Sequence, residues 1–247
     1  MRPLRVTVLG TADAYSAEGR HLAAYLLQHG NGALLLDCGP TILASLNRHG
    51  VLAEPIDAIL ISHFHGDHIA GLPFLFLHFM YMEPRSRPLK IIGPPGVESR
   101  VLGLFSLTYA ETAAEPLPYA LEFVEIGPKE TVVLQGAEVE AFFVPHQENP
   151  PSLGFEVRAG DRKVVYSGDC GWTEDLLAHT KGSDLFLCEC TFFETRYEKH
   201  LDYPRIAENA PRIGTKRLIL THLGPEVLSR KADVALEMAY DGMVLDL

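Results

Sequence analysis

At 247 residues the chain is long enough to bury a sizeable core, and 47% hydrophobic with 21% charged residues is the composition of an ordinary globular protein, which excludes a disordered or fibrous one. Its 21 basic against 32 acidic residues leave a net charge of −11, which argues against a general nucleic-acid binder, since such a protein needs Lys and Arg in excess facing phosphate.

The opening stretch MRPLRVTVL, residues 1–9, holds one short apolar run with no cleavage site after it, so it reads as a first strand and not as a signal peptide. Strand-like runs then alternate with helical ones: LRVTVLG, AAYLLQH and ALLLDCG, a helix over residues 41–48, DAILISH, a helix after His68, LKIIG, and a helix over residues 97–107. LEFVEI, TVVL, VEAFFV, LGFEVR and KVVYSGD follow closely and read as antiparallel strands joined by turns. Alternation returns with a helix over residues 173–179, LFLCEC, a helix over residues 203–213 disturbed by Pro211, RLILTH and a closing MVLDL. No repeat, low-complexity tract or linker interrupts this order, so one domain over residues 1–247 is expected, with two sheets packed face to face and helices outside.

The longest apolar run, IAGLPFLFLHFMYM, is 14 residues, contains Pro73 and His78, and is too short to span a bilayer. It reads as a buried helix with a face left over for a dimer contact or a pocket wall. The cytoplasm is the expected compartment, and Cys38, Cys170, Cys188 and Cys190, with no CxxC spacing, are expected to be reduced, packed thiols.

Several strands end on residues that can ligate a metal: DAILIS runs into His63, VEAFFVP into His146, KVVYSG into Asp169 and RLILT into His222. A strand buries its length while its last residue emerges at the sheet edge, so four such ends can converge. Imidazole and carboxylate together suit zinc, manganese or iron. In SHFHGDH, His63 and His65 share a face of an extended segment while Asp67 and His68 turn into the next helix, a spacing that can feed two adjacent metals.

HFHGDH matches the HxHxDH signature, and with His146, SGD at residues 167–169 and LTH ending at His222 in the same order, the chain resembles the metallo-β-lactamase superfamily over nearly its whole length. The resemblance implies an αββα four-layer sandwich, two mixed β-sheets with helices outside and a dinuclear site at one edge. It implies that His63, His65 and His146 hold one divalent ion, Asp67, His68 and His222 the second, and that Asp169 bridges them, with zinc the first expectation and manganese or iron the others.

HFHGDHIAGLP, LGTADAYSAEGRHLAAYLL and the run from ECTF through KHLDYPRIAENAPRIGTKRLILTH resemble the ribonuclease Z branch and its small phosphodiesterase relatives. In that branch an extra histidine contacts the scissile phosphate, and His200 stands in its place. Two departures matter. Asp202 replaces the usual hydroxyl residue and reads equally as a helix N-cap, and the 22 residues between His146 and Asp169 leave no room for the arm with which ribonuclease Z grips tRNA.

The implied activity is hydrolysis of a small or nucleotide-type phosphodiester by a water or hydroxide shared by two metals, with Asp67 orienting it or taking its proton and His200 stabilising charge on the phosphoryl or leaving oxygen. The expected partner is a small anionic substrate; structured tRNA and a membrane are not, and a homodimer is left open. A lactone or thioester hydrolase on the same metals is the alternative, followed by tRNA 3′ processing. A flavin-coupled iron redox role is weaker because such proteins replace the second histidine by glutamate and here it is His65. A non-enzymatic role is weaker because all seven ligands are present. Gly66, Gly71 and Pro73 are expected to shape the turn, His21 and His78 to pack or lie at the surface, His29, His49 and His179 to face solvent, and Arg196, Lys199, Arg205, Arg212, Lys216 and Arg217 to form a solvated basic face.

Overall fold

The computed structural model describes residues 4–30 and 32–247. The first expected strand is found at Arg5–Gly10 (β1); the part of that expectation over residues 1–3 lies outside the described residues. The first half continues with β2 (Ala24–His29), β3 (Gly32–Leu36), α1 (Ile42–His49), β4 (Ala58–Leu60), α2 (Gly66–Ile69), α3 (Leu72–Tyr81), β5 (Leu89–Gly93), α4 (Val97–Thr108), α5 (Ala110–Ala113) and β6 (Leu121–Glu125). The second holds β7 (Thr131–Leu134), β8 (Ala137–Glu148), β9 (Pro151–Ala159), β10 (Arg162–Tyr166), α6 (Asp175–Thr180), β11 (Leu185–Glu189), α7 (Tyr203–Asn209), β12 (Leu218–Thr221), α8 (Pro225–Ser229), β13 (Glu237–Met238) and β14 (Val244–Asp246).

Each sheet has seven strands, in the orders β14-β1-β2-β3-β4-β5-β6 and β13-β12-β11-β10-β9-β8-β7. Both are mixed: β14 to β3 pair antiparallel and β3 to β6 parallel, while β7 to β10 pair antiparallel and β10 to β13 parallel. One cluster of buried side chains joins the two inner faces, with Val6, Tyr25, Leu36 and Leu60 of one sheet against Val139, Phe155, Tyr166 and Leu187 of the other. A second buries the outer face of the first sheet under α1, α3 and α4, and a third that of the second sheet under α6, α7 and α8. The four-layer αββα sandwich is therefore as expected.

Two local expectations need correction. LEFVEI is not an antiparallel strand of the second sheet; as β6 it pairs in parallel with β5, because the crossover through α4 returns the chain in the same direction. The helix after His68 is two pieces, α2 and α3, divided at Ala70 and Gly71. A Cβ at Gly71 would fall 2.2 Å from the Gly39 carbonyl oxygen, so this glycine allows the divided segment to pack against the end of β3. Pro211 disturbs the late helix as expected: α7 stops at Asn209 and a tighter turn covers Ala210–Arg212.

Buried Leu72, Leu75, Phe76 and Phe79 fix α3, while Tyr81 and Met82 at its end are exposed. Among the described residues no helix is long and apolar enough to cross a membrane. All four cysteines are free and buried, as expected of packed thiols. His29, His49 and His179 are half-buried and not solvent-facing; His179 lies stacked 4.0 Å from the Phe142 ring and 3.7 Å from Glu156.

Glu156 on β9 is buried with Lys163 on β10, whose Nζ lies 2.8 Å away. Burial pushes the carboxyl up, but His179, Lys163 and Arg158 outweigh it and bring it to about 2. Its ionised form thus contributes stability that is present above the ordinary carboxyl range near 4.5 and lost as the pH falls towards 2. Glu156→Gln, which leaves Lys163 buried without its carboxylate, should cost about 3 kcal/mol at pH 7. Urea unfolding should show the deficit shrinking as the pH is lowered from 4.5, and a pH-independent deficit would contradict the pairing.

Candidate metal centre

The C-terminal ends of β3, β4, β10, β11 and β12 point to one edge of the sandwich, and the residues just past them form the site. His63 follows β4, Asp169 follows β10, His222 follows β12, and His146 lies in β8 where its pairing with β9 becomes irregular. All seven residues singled out by the motifs come together. One atom each of His63, His65, His146 and Asp169 lies within 4.8 Å of the others, and so do atoms of Asp67, His68, Asp169 and His222. Asp169 is common to both groups. His21 and His78 belong to neither.

The ring tautomers follow from what holds the other nitrogen. His68 Nδ1–H donates to Asp37 Oδ2 at 2.7 Å, His146 Nδ1–H to the Lys199 carbonyl at 2.9 Å, His63 Nδ1–H to Ser62 Oγ at 3.0 Å and His222 Nδ1–H to Thr191 Oγ1 at 3.0 Å. Each ring is thereby locked with Nε2 facing inward. His65 is reversed. Its Nδ1 lies 3.1 Å from His146 Nε2, and its Nε2 lies 2.8 Å from the Gln147 amide, whose oxygen can accept the Nε2 proton after a half-turn. Two imidazole lone pairs then face each other, an arrangement that repels unless a cation lies between them.

The buried atoms His63 Nε2, His68 Nε2 and Asp169 Oδ1 make no hydrogen bond among the described residues. Yet His68 Nε2 and His222 Nε2 are each 3.3 Å from Asp169 Oδ1, and His63 Nε2 is 3.7 Å from Asp169 Oδ2. Close approach without hydrogen-bond direction means that the lone pairs aim at shared points and not at one another. Burying such groups unpartnered costs on the order of 1–3 kcal/mol each, so the cluster fits divalent ions in the space between.

Burial pushes His63, His65 and His146 down, which keeps the first group neutral and able to ligate. In the second group burial works the same way but loses to the carboxylates: Asp169, Asp37 and Asp67 raise His68 well above its usual range, and Asp169 with Asp67 raises His222 to about 9. Asp67 and Asp169 are held far below the ordinary carboxyl range despite their burial, by the histidines around them. Carboxylates that hold protons on these rings would hold cations in their stead, and ligation there would release protons.

His200, outside both groups, forms a third with Glu189 and His222. Its Nδ1–H donates to Glu189 Oε1 at 2.8 Å, and its ring stacks on His222 at 5.8 Å between centroids and 7° between planes. Burial lowers it, but the Glu189 carboxylate prevails and raises it. The loop carrying His200 is fastened by Glu226 of α8, which accepts from the backbone N–H groups of Phe193, Glu194 and Thr195 at 3.0, 2.9 and 3.0 Å. Asp202 is the N-cap of α7, accepting from Arg205 N at 3.0 Å, as its position suggested. Of the six basic residues nearby, five are paired: Arg196 and Arg205 meet Asp202, Arg212 meets Glu174, Lys216 meets Asp184 and Arg217 meets Glu237, so most of the positive charge on this face is met by carboxylates.

Sequence reasoning missed Asp37, Gln147 and Thr191. Asp37 is wholly buried and accepts from four donors: Ser62 N, Ser62 Oγ, His68 Nδ1 and Tyr166 Oη, at 2.7–2.8 Å. Its φ of +55° is rare for a residue with a side chain. The sequence signal was partial: ALLLDCG is an apolar run that ends on a ligand-type residue, as do the runs before His63, His146, Asp169 and His222.

A family model described as Anti-Pycsar protein Apyc1 matches residues 4–240. The ribonuclease Z of Agathobacter rectalis is 29% identical, over 91% of this chain and 89% of its own length. Among solved structures, the metallo-β-lactamase fold protein YhfI from Bacillus subtilis superposes with a TM-score of 0.81 at 22% identity, with all of both chains covered. The short form of human tRNase Z does so at 0.79 and 26%, with 98% of each chain covered.

Because Asp37 fixes the His68 ring without joining the cluster, Asp37→Ala should weaken divalent-metal affinity by about 10- to 100-fold, the usual scale for such a supporting carboxylate. Competition against a chromogenic chelator reads this directly. Wild-type affinity in a folded Asp37→Ala protein would remove Asp37 from the site.

Proposed function

The chain belongs to the family described as Anti-Pycsar protein Apyc1, and from that membership and the cluster of seven ligand-type residues we propose a dinuclear-metal phosphodiesterase acting on a small or nucleotide-type phosphodiester, a cyclic nucleotide for example. At the coarser level the protein is a hydrolase of the metallo-β-lactamase fold. In the proposed assignment His63, His65 and His146 hold one ion, Asp67, His68 and His222 the other, and Asp169 both. Two divalent ions held there, zinc by the donor set, supply Lewis acidity to a phosphoryl oxygen and to the attacking water.

The observation that carries the reading is the buried Glu189 carboxylate behind His200. It accepts the hydrogen bond from Nδ1–H, favours the protonated ring and leaves Nε2–H free to donate to a phosphoryl or leaving oxygen as negative charge gathers there. In this reading Asp67, at the start of α2, orients the attacking water or accepts its proton. An acyl substrate develops one oxyanion, which the ions would hold, and gives a second cation less to do. Between β8 and β9 only Asn149 and Pro150 intervene, with no arm to grip a folded RNA, and the net charge of −11 opposes a polyanion.

The test is a metal-analysed preparation assayed in parallel on a chromogenic phosphodiester, a cyclic nucleotide, a precursor tRNA, a lactone and a thioester. The small phosphodiesters should be turned over far faster than the others. His200→Ala should keep its metals and lose roughly 10²-fold or more in kcat on phosphodiesters, with less effect on any acyl substrate. Dominant lactone or thioester turnover, or a His200→Ala protein with normal phosphodiester kcat, would replace this reading by the acyl hydrolase.

A further inference from the structure

Of the seven ligand-type residues His65 is the exposed one, and it is held unlike the rest. The four other rings each give Nδ1–H to a group that can only accept. The Asp37 carboxylate and the Lys199 carbonyl have no hydrogen to offer, and the hydroxyls of Ser62 and Thr191 spend theirs on Asp37 Oδ2 and Glu189 Oε2, each at 2.8 Å. Those rings therefore keep a proton on Nδ1. His65 meets an amide instead, which can donate through its nitrogen or accept through its oxygen.

Gln147 can present either atom. Its backbone N–H is fastened to Ser152 Oγ at 3.2 Å, while among the described residues its side-chain amide has His65 as its one hydrogen-bond partner, so the amide turns on a fixed backbone. His146 and Gln147 are consecutive in β8 and would face opposite ways in a regular strand, yet both reach the His65 ring, because the pairing of β8 with β9 shifts between Phe143 and Glu148. They hold its opposite nitrogens: His146 Nε2 lies 3.1 Å from Nδ1, and the amide lies 2.8 Å from Nε2. Two patterns satisfy these distances. With the amide oxygen on His65, Nε2 carries the proton and the lone pairs of His65 Nδ1 and His146 Nε2 face a shared point, ready for an ion. With the amide nitrogen on His65, Nε2 accepts, Nδ1 carries the proton and donates it to His146 Nε2, and the pair is closed without an ion.

We propose that Gln147 is a positioning residue that latches His65 in both tautomers, so that His65 opens to the first ion by giving up its hydrogen bond to His146 while the amide makes a half-turn; the proposal rests on the assignment of His63, His65 and His146 to that ion. The exchange needs no carrier, because His65 is exposed: Nδ1 gives its proton to water, Nε2 takes one from water, and the ring stays neutral. An ion at this site thus competes with hydrogen bonds of the protein's own, and Gln147 sets how readily the first ion is released. A residue that can only accept, such as an ionised glutamate, would hold the ligating tautomer at all times.

Long-range proton–nitrogen NMR of the histidine rings locates the proton without any turnover. In wild type at about pH 8, where an unperturbed imidazole is neutral, His65 should carry it on Nδ1 in metal-free protein and on Nε2 once zinc is bound. Gln147→Glu should keep it on Nε2 in both states and, by chelator competition, bind the first ion about 10-fold more tightly with the second little changed. Wild-type spectra with the same nitrogen protonated in both states would overturn the proposal, and they decide even where the variant does not fold. So would a variant that binds more tightly with its metal-free proton still on Nδ1, because added negative charge alone then accounts for the gain. A protein that binds both ions and cleaves no phosphodiester loses the proposed function and keeps this test, whereas one that binds a single ion or none removes the ligand assignment and this proposal together.

Discussion

The structure turns on the burial of carboxylates at one sheet edge. Asp37 and Asp169 are 0% and 2% exposed, and an ionised carboxylate moved out of water costs several kcal/mol unless its oxygens are met. The two are met differently. Asp37 has four donors and is complete; Asp169 lies among histidines with Oδ1 lacking a hydrogen bond. The protein therefore satisfies the outer carboxylate and leaves the inner one able to take a cation, a division that holds His68 between them with one nitrogen committed and the other free. Asp37 and His222 both sit at positive φ, a strain of order 1 kcal/mol that persists because regular pairing on β3 and β12 fixes the backbone just before each.

The two sheets contribute unequal halves. His63, His65, Asp67 and His68 come from one loop after β4, a continuous segment whose spacing alone sets their relations. The remaining groups, His146, Asp169, Glu189, His200 and His222, come from five places around the second sheet and need tertiary contacts to meet. Glu226 supplies one of these. Its carboxylate, brought to about 2 by Thr195 and by the backbone N–H groups of residues 193–195 against the effect of burial, ties the His200 loop to the helix that follows His222. Thr191 adds another link, since its hydroxyl donates to Glu189 Oε2 at 2.8 Å while its oxygen lies within reach of both His200 and His222. The stacked rings of His200 and His222 are thus held by one shared set of anchors.

What the sequence disclosed follows from the same division. A local motif such as SHFHGDH is legible because its geometry is carried by neighbours in the chain. His146, Asp169 and His222 were legible because each ends an apolar run on a ligand-type residue. Asp37 ends its run in the same way but on a carboxylate without a histidine, and nothing in ALLLDCG distinguishes a buried acceptor of four hydrogen bonds from a solvated strand end. Gln147 and Thr191 act through contacts 82 and 31 residues away in sequence, which no spacing rule encodes. Parallel pairing of β6 was misread for a related reason: hydrophobic alternation states that a strand is half-buried, and strand direction depends on the route taken by the preceding helix. The basic run around His200 misleads in the opposite sense, since its partners Glu174, Asp184 and Glu237 lie elsewhere in the sequence and cancel a charge that looks free.

That cancellation bears on how a protein of net charge −11 could receive an anion at all. With most nearby arginines and lysines neutralised by carboxylates, the surface offers little long-range attraction, and a polyanion would gain few contacts for the repulsion it meets. Attraction has to be local. In the proposed holoprotein two divalent ions would outweigh the carboxylates of Asp67 and Asp169, and His200 in its protonated form would add to them within a largely buried site where ions in solution screen poorly. Such a field is strong over the few ångströms of a single phosphate and weak beyond it. It favours a substrate with one charge at the centre and an uncharged remainder.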